Sequence, residues 1–175
     1  MNNPSGLWQQ AADNFERHLD SIADDQWDDG TTCEGWTIRD LVDHTLQWQR
    51  RALSLLGDGI DRDAGWHGIR SAAVATLAHP SCLEGSVETG PTQTMEKHQV
   101  FGFALGDLLI HSWDLARSLE ADETLPAEVV EAVQLGLDRV PEEMMRAPNM
   151  FGPAVDVPAG ANAQDRLLAY AGRQP

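Results

Sequence analysis

The sequence predicts an all-α protein: a bundle of four main helices with one or two minor ones. Three observations predict it. Apolar residues recur at intervals of three and four in separate stretches, the period of helices that bury one face. Helix start and stop residues bracket those stretches. Strand-like alternation is confined to one short segment around Gly90 and Pro91. At 175 residues the chain, 1–175, is expected to be a single domain that can bury a core without a disulfide or metal to hold it.

In the first stretch Trp8, Ala11, Ala12, Phe15, Leu19 and Ile22 share a face, which predicts a helix of about five turns. The acidic, glycine-containing segment "DDQWDDGTTCEGW" then predicts a loop. Thr37 is placed to cap the next helix, with Asp40 at the third helical position reaching back toward it. That helix carries Ile38, Leu41, Leu46, Trp48, Ala52 and Leu55, and should end near Gly57. The loop "GDGIDRDAGWHG" leads to a shorter helix through "IRSAAVATLA", stopped at His79-Pro80. "CLEGSVETGPTQTMEK" predicts a turn at Gly90-Pro91 with a short β-hairpin. From about Met95 to Leu119 the pattern is helical again, and "FGFALGDLLIHSWDLA" is apolar on most sides, as a central helix must be. Thr124 then Pro126 open another helix, with Val129, Val133, Leu137 and Val140 on its apolar face. After the irregular "APNMFGPAVDVPAGA", Asn162 caps a short last helix, "AQDRLLAYA", and Gly172 stops it.

The formal net charge of -16 repels phosphate backbones, so no nucleic acid is expected among the partners. The N-terminal "MNNPSGLWQQAADNF" lacks a positive region followed by an apolar run, the signature of a secretory signal. The longest apolar stretch, "VFGFALGDLLI", is interrupted by Asp107 and too short to cross a bilayer, so no membrane association is expected. The expected location is cytoplasmic. Cys33 and Cys82 are then reduced thiols, and their separation matches neither a zinc finger nor a redox motif.

Chemistry concentrates on two helices. In "CEGWTIRDLVDHTLQWQRR", His44 lies one turn after Leu41 and one before Trp48, so it points the same way as apolar residues. In "GDLLIHSWD", Asp107 and His111 are four apart and share a face, with Asp114 three further on. A carboxylate and an imidazole from adjacent turns can share one cation. A buried carboxylate without a partner costs several kcal/mol, which a cation removes. A third ligand must come from another helix, and His44 is the candidate. Two histidines and a carboxylate form an open set, used for zinc in hydrolytic enzymes and iron(II) in oxygenases. Asp114 is placed either to extend the stripe or to orient the His111 ring. The competing reading is a pair of satisfied core histidines with no ion.

The other histidines have weaker claims. His98 is about half a turn out of phase with Asp107, His67 and His79 flank loops, and His18 sits at the edge of the first apolar stripe. Trp36, Trp48 and Trp113 read as packing first and substrate wall second. Cys33 has no basic neighbour identifiable in the sequence. HExxH, glycine-rich phosphate loops and GxSxG are absent.

Three blocks, "CEGWTIRDLVDH", "HSWDLARS" and "FGPAVDVPAGANAQDRLLAYAGRQP", resemble the mycothiol-dependent maleylpyruvate isomerase N-terminal-like metal-binding family of the DinB-like superfamily. The resemblance runs along nearly the whole chain. It implies a DinB-like four-helix bundle, up-down-down-up, with one divalent metal at its open end. It carries the family's ligands onto His44, Asp107 and His111. Zinc is the expected metal, with nickel and iron the other candidates. The family commonly has Glu where this chain has Asp107. The implied chemistry is use of a low-molecular-weight thiol such as mycothiol as cosubstrate, for transfer to an electrophile or for isomerisation. Thiol and electrophile would be the small-molecule partners, and a homodimer is compatible with the chain. Because the chain stops after "GRQP", the additional C-terminal domain of the isomerase proper is expected to be missing. Two alternatives stay open: a non-catalytic metal or small-ligand binding bundle, and a metal-dependent hydrolase using the same trio.

Overall fold

A computed structural model of the chain describes residues 3–57, 59–147 and 150–175. Asp58, in the loop expected after the second helix, and Pro148 and Asn149, in the expected irregular stretch, lie outside the described residues. Helix α1 (Pro4–Leu19) starts where the Asn3 side chain accepts from the Gly6 amide and Pro4 takes the first turn. It is shorter than its apolar stripe suggests. The Ser21 hydroxyl and amide both donate to the His18 carbonyl, a local bond that competes with further helix, so Ile22 packs from a turn.

Helix α2 (Ile38–Leu56) opens with the expected capping box: Thr37 accepts from the Asp40 amide and Asp40 accepts from the Thr37 amide. Its buried face holds Ile38, Leu41, Val42, Ala52, Leu53 and Leu56, with two polar residues, Thr45 and Gln49, in the middle. Thr45 donates back to the Leu41 carbonyl, whereas Gln49 accepts from Trp8 Nε1 and donates to the Ala104 carbonyl. Gln49 thereby ties three helices together. Leu46, Trp48 and Leu55 flank that face half-buried.

Helix α3 (Trp66–Leu77) begins a turn earlier than expected, because buried Trp66 stacks on Trp8 and packs against Phe15. It stops ahead of His79-Pro80, and Pro80 opens a short 3-10 turn, Pro80–Leu83. Strands β1 (Ser86–Gly90) and β2 (Gln93–Glu96) form an antiparallel hairpin, Ser86 opposite Glu96 and Gly90 opposite Gln93.

Helix α4 (Lys97–Ser118) is buried on most sides and carries Phe101, Leu105, Leu108, Leu109, Trp113 and Leu115 into the core. It lies against α1 and α2, and α3 packs on those same two helices. Helix α5 (Ala127–Leu137) covers α4 and is capped by Pro126. Thr124 is not the cap; its carbonyl accepts from the Asn14 side chain instead. Val140 lies past the helix end. A single-turn helix α6 (Glu142–Met145) follows Pro141, an element the apolar period did not signal, and buries Met145. Helix α7 (Ala163–Tyr170) packs on α5, with Asn162 capping its start and Gly172, at φ +85, ending it.

The chain is therefore an all-α bundle with a minor β-hairpin. Among the described residues no helix is long and apolar enough to cross a membrane.

Candidate metal centre

His44 projects from the second turn of α2, and Asp107 and His111 from the middle of α4. His44 Nε2 lies 3.2 Å from Asp107 Oδ1, and His111 Nε2 lies 3.5 Å from the same oxygen. One ligand atom from each of the three falls within 4.8 Å of the others. A tetrahedral ion with nitrogen and oxygen bonds of about 2.0–2.1 Å sets its ligands roughly 3.3 Å apart, so the spacing suits one. Asp107 Oδ2 is buried and has no hydrogen-bond partner, a costly state for a carboxylate oxygen that an ion would relieve. A cluster able to hold a metal is present.

His44 is less inward than its apolar neighbours imply. Its side chain is 40% exposed. Leu41, Thr45 and Gln49 take the centre of the buried stripe, and His44 stands at its edge. The rim position leaves one side of the trio open to solvent.

The other side is closed. His111 Nδ1 lies 3.0 Å from Asp114 Oδ2, which assigns the Nδ1 proton to that contact and turns Nε2 toward Asp107. Asp114 is fully buried. Arg173 grips both of its oxygens, Nη2 to Oδ2 at 2.7 Å and Nε to Oδ1 at 3.2 Å, and Thr32 donates to Oδ1 at 2.7 Å. Burial alone would raise the carboxyl, but hydrogen bonds from His111 and Arg173 outweigh it and hold Asp114 well below the usual carboxylate range. Burial likewise opposes a charge on His111. The Asp107 carboxylate, with Asp114 and Cys33 hydrogen-bonded to the ring, reverses this and pushes the imidazole up to about 10. The site is thus strongly cation-seeking: with no other cation present, His111 itself takes up the positive charge.

Local backbone devices aim these side chains. The Trp36 amide returns to the Cys33 carbonyl across Gly35, whose φ of +78 a type II turn reserves for glycine. The turn directs Trp36 against both imidazoles, with ring centroids 4.8 Å from His44 and 5.9 Å from His111. At the other end, the Arg173 amide bonds the Leu168 carbonyl and the Gly172 amide bonds Ala169, the two bonds of a Schellman stop. That stop turns Arg173 back to Asp114.

Thr32, Cys33 and Arg173 are the residues that the helical period missed. Cys33 does have a basic neighbour: its Sγ is 3.8 Å from Arg173 Nη2 and 3.6 Å from Asp114 Oδ2. Gly172 was the available signal, since a helix stop fixes where the next side chain points. Among the remaining candidates, Trp113 is core, Trp48 is half-buried beneath Arg51, and His67, His79 and His98 are exposed. His18 is buried rather than marginal, with its Nε2 unpartnered, and burial first of all lowers its pKa.

Residues 8–93 match the family described as the mycothiol maleylpyruvate isomerase N-terminal domain. That similarity covers just under half of the chain. The matched span includes Cys33, Trp36 and His44 but ends before α4, which carries Asp107 and His111. The chain is also 26% identical, over 173 residues, to the uncharacterized protein MT0763 of Mycobacterium tuberculosis (strain CDC 1551 / Oshkosh). It is equally similar, 26% over 173 residues, to the uncharacterized protein Rv0738 of strain H37Rv. Each alignment covers 94% of this chain and 94% of the relative. No solved structure matches the chain significantly.

Proposed function

We propose that His44, Asp107 and His111 hold one divalent cation, zinc foremost, and that the protein is a transferase or isomerase dependent on a low-molecular-weight thiol of the mycothiol type. The observation that carries the reading is the convergence of three ligand atoms within 4.8 Å from two helices, with His44 at the solvent rim. Similarity of residues 8–93 to a domain named for mycothiol supports the choice of thiol. The four helices α1 to α4 running up-down-down-up, in one domain spanning 1–175, belong to the same reading.

A divalent cation with an open position supplies a stabilised thiolate, the reactive form, at neutral pH. The protein's own residues do the positioning. Asp114 holds the His111 Nδ1 proton, Arg173 and Thr32 hold Asp114, and Trp36 stacks on His111 and packs at a tilt against His44. The electrophile would approach from the exposed side, past His44.

Elemental analysis of the wild type beside His44→Ala and His111→Ala tests the ligand assignment. The reading expects stoichiometric metal in the wild type and its loss from both variants; equal metal in all three sinks it. Metal-loaded protein mixed with a small thiol and a panel of electrophiles then tests turnover. Metal-dependent adducts support the enzyme, and their absence across the panel leaves a metal-binding bundle without catalysis.

A further inference from the structure

Beyond His44, the outward face of α2 and the loop after it enclose a cleft of about 540 Å3. Arg50 and Arg51 line it from the helix and Arg62 from the loop, beside Ile60. The chain has 12 Lys and Arg against 28 Asp and Glu, so carboxylates are plentiful for every cation. Arg17, Arg39, Arg70, Arg117, Arg146 and Arg173 each stand in an ion pair. Among the described residues, Arg50, Arg51, Arg62, Arg139 and Arg166 form none, and the first three of these face one cleft.

Two of these guanidiniums are held by groups that leave their charge intact. Arg50 donates from Nε to the Leu46 carbonyl at 3.1 Å and from Nη1 to the Arg62 carbonyl at 2.9 Å. The second bond also fixes the loop that carries Arg62. Arg51 donates from Nη2 to the Thr89 carbonyl of β1 at 2.8 Å and lies over the Trp48 ring, 5.6 Å from its centroid. A guanidinium positioned beforehand presents a fork that fits a carboxylate or phosphate, with less freedom to lose on binding. Among the described lining residues, Asp43 is the opposing charge. It precedes Arg50 by seven residues, roughly 10 Å along the helix axis, about one screening length at physiological salt. An anion therefore seats toward the arginine end. Gln47 and Arg51 follow His44 by three and seven positions, so the Arg51 edge of the cleft shares one side of α2 with His44.

We propose that this cleft is an oxyanion pocket for a carboxylate- or phosphate-bearing small molecule whose other end reaches the His44, Asp107 and His111 centre. The reach to the centre rests on the metal reading above, whereas the pocket does not. The test titrates succinate, inorganic phosphate and 6-mercaptohexanoate into the full chain by calorimetry, zinc-loaded and EDTA-treated. Saturable binding of succinate or phosphate is expected, weakened about tenfold or more in the Arg51→Ala/Arg62→Ala double variant. The stronger of the two probes identifies the oxyanion. Both substituted residues are exposed, and a melting curve matching the wild type shows that the variant is folded. Zinc should tighten 6-mercaptohexanoate about tenfold in the wild type and not in His44→Ala, which keeps succinate or phosphate binding. Failure of succinate and phosphate to saturate, or binding indifferent to the double variant, overturns the pocket. Arginine-dependent binding that zinc never tightens overturns the reach to the centre and leaves the pocket standing.

Discussion

The two ring nitrogens of His111 face two carboxylates that the protein treats in opposite ways. Asp114, on the Nδ1 side, is fully buried and gripped by His111, Arg173 and Thr32. Asp107, on the Nε2 side, shares one oxygen with two imidazoles and leaves the other buried without a partner. Cys33, His111 and Asp114 also bring ligand atoms within 4.8 Å of one another, yet Arg173 already supplies the positive charge there. The closed side is a finished positioning device. The open side keeps a buried acceptor unpartnered, where a cation could sit.

Substitution on each side should separate the two by the largest margin. Asp114→Ala leaves the Arg173 guanidinium and the His111 ring buried without their acceptor and should cost about 3–5 kcal/mol in denaturant unfolding. Asp107→Asn relieves a partnerless buried oxygen but also removes the carboxylate that holds His111 up, so it should cost less, about 1–3 kcal/mol in the metal-free protein, while lowering metal affinity more than about tenfold. Equal destabilisation by the two variants would erase the contrast.

The second effect concerns pH. His111 is raised from its ordinary value to about 10, so in the metal-free protein it adds stability that is fully present below pH 6.5 and lost as pH rises toward 10. A bound metal takes the proton's place, so the metal-loaded protein should not lose stability across that window. Metal affinity should rise about tenfold per pH unit below the raised pKa. Melting curves of both forms, with competition titrations from pH 6 to 8, check the two signs.

His18 sharpens the comparison with the smallest effect, as a buried imidazole with no carboxylate in contact. Burial lowers its pKa, so the folded state resists its protonation and stability should fall as pH drops below 6.5. His18→Asn should flatten that acid limb by about 1 kcal/mol or less. An unchanged acid limb would remove His18 as its cause.

Periodicity made the open side legible and left the closed side hidden. His44, Asp107 and His111 are all mid-helix, where a three- or four-residue step fixes direction, so their meeting could be read from spacing. Asp114 was legible as an orienting group for the same reason. Cys33 and Arg173 are 140 positions apart and meet Asp114 through a glycine turn and a helix stop, for which no period exists. The misjudged depth of His44 has a different cause. Apolar patterning does not register Thr45 and Gln49, which hold the inward slots of α2 by satisfying their polar atoms within the bundle. Among the helix ends, Thr37, Asn162 and Gly172 were readable because their side chains or φ angles act locally. The end of α1 and the whole of α6 were not, since tertiary packing and a single turn after a proline set them.

X-ray absorption at the zinc edge of the reconstituted protein tests the central claim most directly. The account predicts one zinc per chain, bound by nitrogen and oxygen at about 2.0–2.1 Å, two of the ligands imidazoles, and a sulfur shell at about 2.3 Å only after a small thiol is added. A sulfur shell before any thiol is added would place the ion on the Cys33 side of His111, and a failure to bind zinc stoichiometrically would leave the trio without an ion; either result contradicts it.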